Sequence, residues 1–181
     1  MPSSAIRTFT EPDEYAAAMR GSAVEINVTQ RGRFKGDLTR IDLHRLWMQR
    51  LSDNLPRTFH TLPSAARSMI SFFSRPGSPV ARYNGIDVDS TKIIRFSPGT
   101  GLFTHSSGFV AASTMSLLLD DMATIGAAMI GCDPSKPKNH LVVVPPPPMV
   151  AKLRRLHGAA ITLAEDAPGG QLGRDRWAAF A

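Results

Sequence analysis

LTRIDLHRLWMQRL, residues 38–51, can be read in two ways. Leu43, Leu46, Trp47 and Leu51 fit one stripe of an amphipathic helix, whereas Leu38 followed by alternating Ile41, Leu43 and the β-prone Trp47 fits two strands. We adopt the second reading, with the strands joined near Asp42–Arg45. The surroundings share this character. From Val24 to about Phe96, short β-prone runs (VEINVTQ, RTFHT, SMISFF, KIIRF) are separated by Gly, Pro, Asn and Asp clusters, a spacing that points to an antiparallel sandwich or barrel. In YNGID (83–87), Asn84-Gly85 tolerates the positive φ angles of a type I′ turn, so Tyr83 and Ile86 should begin two paired strands.

Helices flank this region. FTEPDEYAAAMRG (9–21) reads as a short helix with Thr10 as N-cap, Glu11, Asp13 and Glu14 in the first turn, and Gly21 as its stop. In SLLLDDMATIGAAMIGC (116–132), Asp120 or Asp121 can cap a helix that carries Met122, Ile125, Met129 and Ile130 inward and ends at Gly131 and Pro134. HLVVVP (140–145) reads as a last strand. Pro145–Pro148 cannot continue it, because proline fixes φ and has no N–H. The four prolines are expected to form an extended spacer of about 3 Å per residue, the last of them opening a helix.

The expected fold class is mainly β with flanking helices (α+β). The domain plan is a β domain over 1–144, a polyproline joint at 145–148, a linker or dimerisation helix at 149–166, and a disordered tail at 167–181.

With 181 residues, 43% of them hydrophobic, the chain can bury one sizeable core. Its formal net charge is +6, but the basic residues are scattered through RGRFK, TRIDLHR and KLRRLH rather than gathered in one block, which suits a solvated surface. A single cysteine, Cys132, excludes an intrachain disulfide and a cysteine-rich zinc site. No signal-peptide layout and no apolar run near the roughly 20 residues of a membrane span is present, so a cytoplasmic, non-membrane protein is expected.

Catalytic signatures are weak. SPGTGLF (97–103) lacks the lysine-serine or lysine-threonine pair of a P-loop, no serine sits in a Gly-x-Ser-x-Gly elbow, and nothing near Cys132 would stabilise a thiolate. His44, His60, His105, His140 and His157 are isolated from one another, without the paired histidines and carboxylate on one strand face that a metal-binding barrel uses. No metal or cofactor is expected. Small-molecule cavities combine aromatic walls with a few directed polar groups, which makes Arg45, Trp47, His60, Tyr83, Arg95 and His105 the candidate ligand-binding residues. An enzyme, a small isomerase or dioxygenase, is the alternative, and it would need a metal or a perturbed acid–base pair.

The ordered set RTFTEPDEYAAAMRGSAVEINVTQRGRFKGDLTRIDLHRLWMQRLSDNLPR, ISFF, YNGIDV, SSGFVAASTMSL and PPPPMVAKLRRLHGAAITLAEDAP resembles the N-terminal sensory part of AraC/XylS-type transcriptional regulators, in particular the ethanolamine-operon-regulator-like group. The resemblance covers roughly residues 5–168. It implies a cupin-like barrel that senses a small effector or holds a dimer contact, a linker helix, and a following DNA-binding domain with two helix-turn-helix units. GGQLGRDRWAAFA, after Pro168, is too short for even one such unit. The expectation is therefore a module truncated before its DNA reader, with no specific DNA binding of its own.

Met149, Leu153, Leu156, Ala160 and Leu163 alternate spacings of four and three, a coiled-coil type of seam. The stripe can pack on its own barrel. Under the resemblance it can also form a homodimer, or a heterodimer in which this chain inhibits a full-length regulator.

Overall fold

The computed structural model describes residues 3–131, 133–135 and 137–166; Cys132 and the expected tail at 167–181 lie outside them. Two antiparallel sheets face one another and do not close into a barrel. The first takes the order β1 (Ser3–Phe9), β3 (Gly36–Leu43), β4 (Leu46–Asp53), β11 (Val110–Leu118), β6 (Arg67–Phe73), β9 (Ile93–Arg95), β12 (Leu141–Val143). The second takes the order β2 (Ser22–Val28), β5 (Arg57–Pro63), β10 (Leu102–Ser106), β7 (Ala81–Tyr83), β8 (Ile86–Val88). Among the described residues three helices flank them, α1 (Pro12–Ala17), α2 (Leu119–Ile130) and α3 (Pro147–Asp166).

Residues 38–51 form the hairpin β3–β4, in which Leu38 pairs with Leu51 and Leu43 with Leu46. His44 takes φ 67° at the turn, where Asp42 Oδ1 accepts its backbone N–H at 2.8 Å. Such a local Asx bond offsets the cost of a left-handed non-glycine residue. The Asn84-Gly85 turn is as the sequence predicts, with both residues at positive φ (45° and 84°) between Tyr83 and Ile86.

The main core lies between the sheets. Phe9, Leu38, Leu51, Phe59, Phe73, Ile94 and Leu102 are among its buried side chains. α1 plugs one end with Tyr15, whose ring packs between Phe9 and Phe34 and whose hydroxyl donates to the Ser52 carbonyl at 3.2 Å. Gly36 is required beneath it, since a Cβ there would come within 2.7 Å of the Tyr15 ring.

Four local expectations are corrected. Residues 3–9 form an edge strand that the sequence reading did not anticipate. α1 is capped at Glu11, not Thr10, and without a side-chain bond; Pro12 at its start already removes one of the N–H groups a cap would serve. α2 begins after Leu118 because strand β11 runs on through Ser116 and Leu117, and Ile125 (43% exposed) and Met129 (78%) point outward rather than inward. The four prolines are not all spacer. Pro147 and Pro148 lie in the first turn of α3, where φ near −65° is already helical and the missing N–H has no intrahelical acceptor.

α3 docks on the outer face of the seven-stranded sheet. Ala160, Ile161 and Ala164 are fully buried against Ile41 and Met48, with Leu43, Leu46, Met115 and Leu163 packed around them. This is a second, smaller core outside the sandwich.

Candidate functional site

Side chains alternate across a strand, so parity assigns each candidate to a face. On β5, Arg57, Phe59 and Thr61 point between the sheets; on β10, Leu102, Thr104 and Ser106 do so. His60 and His105 therefore face outward. His60 stacks on Phe103 with ring centroids 4.7 Å apart and lies 3.5 Å from Glu25, while His105 is exposed. Arg45, at the β3–β4 turn, is exposed and pairs with Asp121 at 2.7 Å. Trp47 sits at the end of the sandwich beneath the Arg67 guanidinium, 3.8 Å from its ring centroid, with Arg20 at 5.6 Å. Arg95 follows inward-facing Ile94 and so turns to the outer face. Of the six, Tyr83 alone lines the cavity between the sheets. The structure does not bring them together.

The polar groups inside the sandwich are different ones. Asp53 ends β4 and Arg57 begins β5, and their side chains, 0% and 3% exposed, form an ion pair at 2.7 Å. Arg57 also donates to Ser106 Oγ and lies 4.2 Å from the Phe59 ring centroid. Asp53 Oδ1 and Arg57 Nε have no hydrogen-bond partner among the described residues. Burial pushes the Asp53 carboxyl up to about 6 against the pull of Arg57, and raises the Tyr83 phenol as well. The cavity beside them, lined also by Gln49, Ser71 and Thr104, measures only ≈ 60 Å³. That is space for ordered water, well below the few hundred Å³ of a typical ligand site.

A larger cleft of ≈ 420 Å³ lies on the opposite side of the seven-stranded sheet, under α3. Thr39 of β3, Arg50 and Ser52 of β4, Ala111 and Ser113 of β11 and Phe72 of β6 form its floor, and Arg154, His157, Gly158 and Glu165 of α3 overhang it. Glu165 pairs with Arg50 and accepts a bond from Thr39 Oγ1 at 3.2 Å. Arg154 donates to the carbonyls of Phe73, at 3.0 Å, and Ser90, fastening the start of α3 to the sandwich. His157 is 2% exposed, edge-on to Phe72 at 5.4 Å, with Nδ1 3.2 Å from Ser113 Oγ. Its ring lies beside the Thr114 and Gln49 carbonyls, yet Nε2 reaches hydrogen-bond geometry with no described residue. Burial lowers its pKa to about 4.

The helix residues expected at a dimer contact divide along the same lines. Met149 (63% exposed) and Leu156 (50%) face solvent, and Leu153 and Leu163 are half-buried. Ala160 is wholly buried under its own chain and is not available to a partner in the docked helix. The docked face is Val150, His157, Ile161 and Ala164, one residue along from the expected seam. Sequence reasoning missed the cleft because its floor mixes the small hydroxylic Thr39, Ser52 and Ser113 with Arg50, Ala111 and Phe72 on the sheet's outer face, and because His157 and the alanines of α3 carry little apolar signal.

The five histidines remain spread over the molecule, and no group of three His, Cys, Asp or Glu that could hold a metal occurs among the described residues. Nor is any described helix long and apolar enough to cross a membrane.

The features together define an antiparallel β-sandwich that carries a long helix on one outer face. No family model matches the chain, and no curated protein matches it. Among solved structures, the AraC-like transcriptional activator CuxR is similar, with a TM-score of 0.56 and 14% identity over 87% of this chain and 60% of that one. Vicilin from Corylus avellana (hazelnut) has a TM-score of 0.33 and 11% identity over 82% of this chain and 52% of that one. The chain thus spans less than two thirds of either protein. At this identity, the likeness to the activator is one of fold.

Proposed function

We propose that this chain is the effector-sensing and dimerisation module of an AraC-type transcriptional regulator, acting without catalysis. The observation that carries this reading is the docking of α3 across the outer face of the seven-stranded sheet, where the helix also roofs a ligand-sized cleft. A molecule entering that cleft touches Arg154, His157 and Gly158 directly. It therefore alters the free energy of the docked helix, which is what a linker must register to pass on the state of a sensor domain. The fold likeness to the AraC-like activator supports the same assignment.

Met149 and Leu156, left exposed by docking, with half-buried Leu153 beside them, form the surface on which a second copy or a related regulator would seat. Light scattering at micromolar concentration should give a dimer, and Leu156→Glu should convert it to a monomer that keeps its folded circular-dichroism spectrum, since the side chain is half exposed. A monomeric wild-type chain, or a dimer indifferent to the substitution, would remove the dimerisation role.

A further inference from the structure

Three features of the cleft under α3 bear on what could occupy it. The first is Gly158. It lies in the interior of a 20-residue helix, where glycine is less favourable than alanine, yet a Cβ there would meet nothing within 4 Å. No packing constraint explains it, and what its missing side chain leaves is room along the cleft wall. The second is His157, fully buried, held by Ser113 Oγ and close to the Thr114 and Gln49 backbone, with Nε2 outside good hydrogen-bond geometry. A buried polar atom so poorly aligned gains from a better-placed partner, which a ligand can supply.

The third is the mixture of charge and apolar surface. Arg50 is balanced by Glu165, but Arg154 has no carboxylate partner among the described residues and commits only Nε and Nη2 to backbone carbonyls, and Arg75 has no carboxylate partner among them either. Three arginines thus line the cleft against two carboxylates, Asp37 and Glu165, an excess of one positive charge. At the rim, Ile6 (41% exposed) and Phe109 (47%) leave apolar surface in water. Two guanidinium groups lining one cleft with uncovered apolar walls match a ligand with an anionic head and an apolar body.

From these observations we infer that the cleft between α3 and the seven-stranded sheet binds a small organic anion with an aromatic or branched apolar body, its head held by Arg75 and Arg154 and its body covering Phe109 and Ile6. The inference rests on the sensory reading only for the consequence of binding. Occupancy can be measured on a monomer as well as on a dimer, so its failure and the failure of the dimerisation role are separate results.

The test is a thermal-shift and calorimetric titration of the whole chain with phenylacetate, indole-3-acetate and 4-methylpentanoate, beside the neutral phenylacetamide and inorganic phosphate. At about ten times its Kd, at least one organic anion should raise Tm by about 4 °C. Phenylacetamide and phosphate should each bind at least about tenfold more weakly than that anion, since each lacks half of the recognised chemistry. Gly158→Leu fills the cleft while improving helix propensity, and should abolish the shift. Arg75→Gln, at an exposed position that leaves folding intact, should weaken binding about fivefold. No shift with any organic anion would overturn the inference; so would equal shifts with phenylacetamide or phosphate, or binding that survives both substitutions undiminished.

Discussion

Arg57→Met should unfold the protein more readily than any surface substitution, lowering stability by about 3–5 kcal/mol. The reason lies in what is left behind. Asp53 is fully buried, and among the described residues its ion pair with Arg57 at 2.7 Å is its only charge compensation. With the guanidinium gone, the carboxylate must either remain charged in an apolar interior or take up a proton, and Ser106 loses its donor too. Replacing both partners avoids that penalty. Asp53→Leu combined with Arg57→Met should recover most of the loss, because an apolar pair of similar volume need not be solvated. Urea denaturation of the three variants measures this directly. If the double variant is no more stable than Arg57→Met alone, the ion pair is not the origin of the loss.

Acidification should reveal two buried groups acting in opposite senses. The pKa of His157 is lowered to about 4 in the folded chain from an ordinary 6.5, so above pH 6.5 it is neutral in both folded and unfolded states and its stabilisation is complete. Below that pH the unfolded chain binds a proton that the docked helix refuses. Stability is then lost as pH falls toward 4, by about 3 kcal/mol in all. Asp53 does the reverse: burial raises its pKa from 3.8 to about 6, the folded state binds the proton more tightly, and stability is gained as pH falls from 6 toward 3.8. Relative to wild type, His157→Leu should therefore become more stable on going from pH 7 to pH 4.5, and Asp53→Asn less stable. Melting curves at the two pH values decide the signs, and a His157→Leu variant with wild-type pH dependence would show that this imidazole does not sit uncharged beneath α3.

Much of the sandwich was legible because its signals are local. The β3–β4 hairpin follows from β-prone residues on either side of an Asp42-His44 turn, and the β7–β8 hairpin from Asn84-Gly85, whose positive φ angles few other pairs accept. Elements that depend on long-range pairing were harder to see. Residues 3–9 carry no turn signal, and become a strand only because β3 offers them a free edge from Gly36 to Asp42. The candidate site suffered most. Strand parity is fixed by register, and one residue's slip exchanges the two faces, so His60 and His105 lie outside and Arg57 inside for reasons no window of sequence contains. On α3, leucines drew the reading to one stripe, whereas the docked stripe is Val150, His157, Ile161 and Ala164, of which Ile161 and Ala164 pack with Ile41 and Met48 and His157 lies edge-on to Phe72.

The docking of α3 is the hinge of the proposed function, and sedimentation measurements of the dimer constant test it most directly. Ile161 is wholly buried in the contact between α3 and the sheet, so Ile161→Ala should loosen the helix and weaken dimerisation at least about tenfold, because docking is what holds Met149 and Leu156 outward together. Leu102→Ala, a comparable loss of buried side chain between the sheets, should leave the dimer constant within about twofold of wild type. Equal dimer constants for wild type, Ile161→Ala and Leu102→Ala would contradict any coupling between the sandwich and its helix.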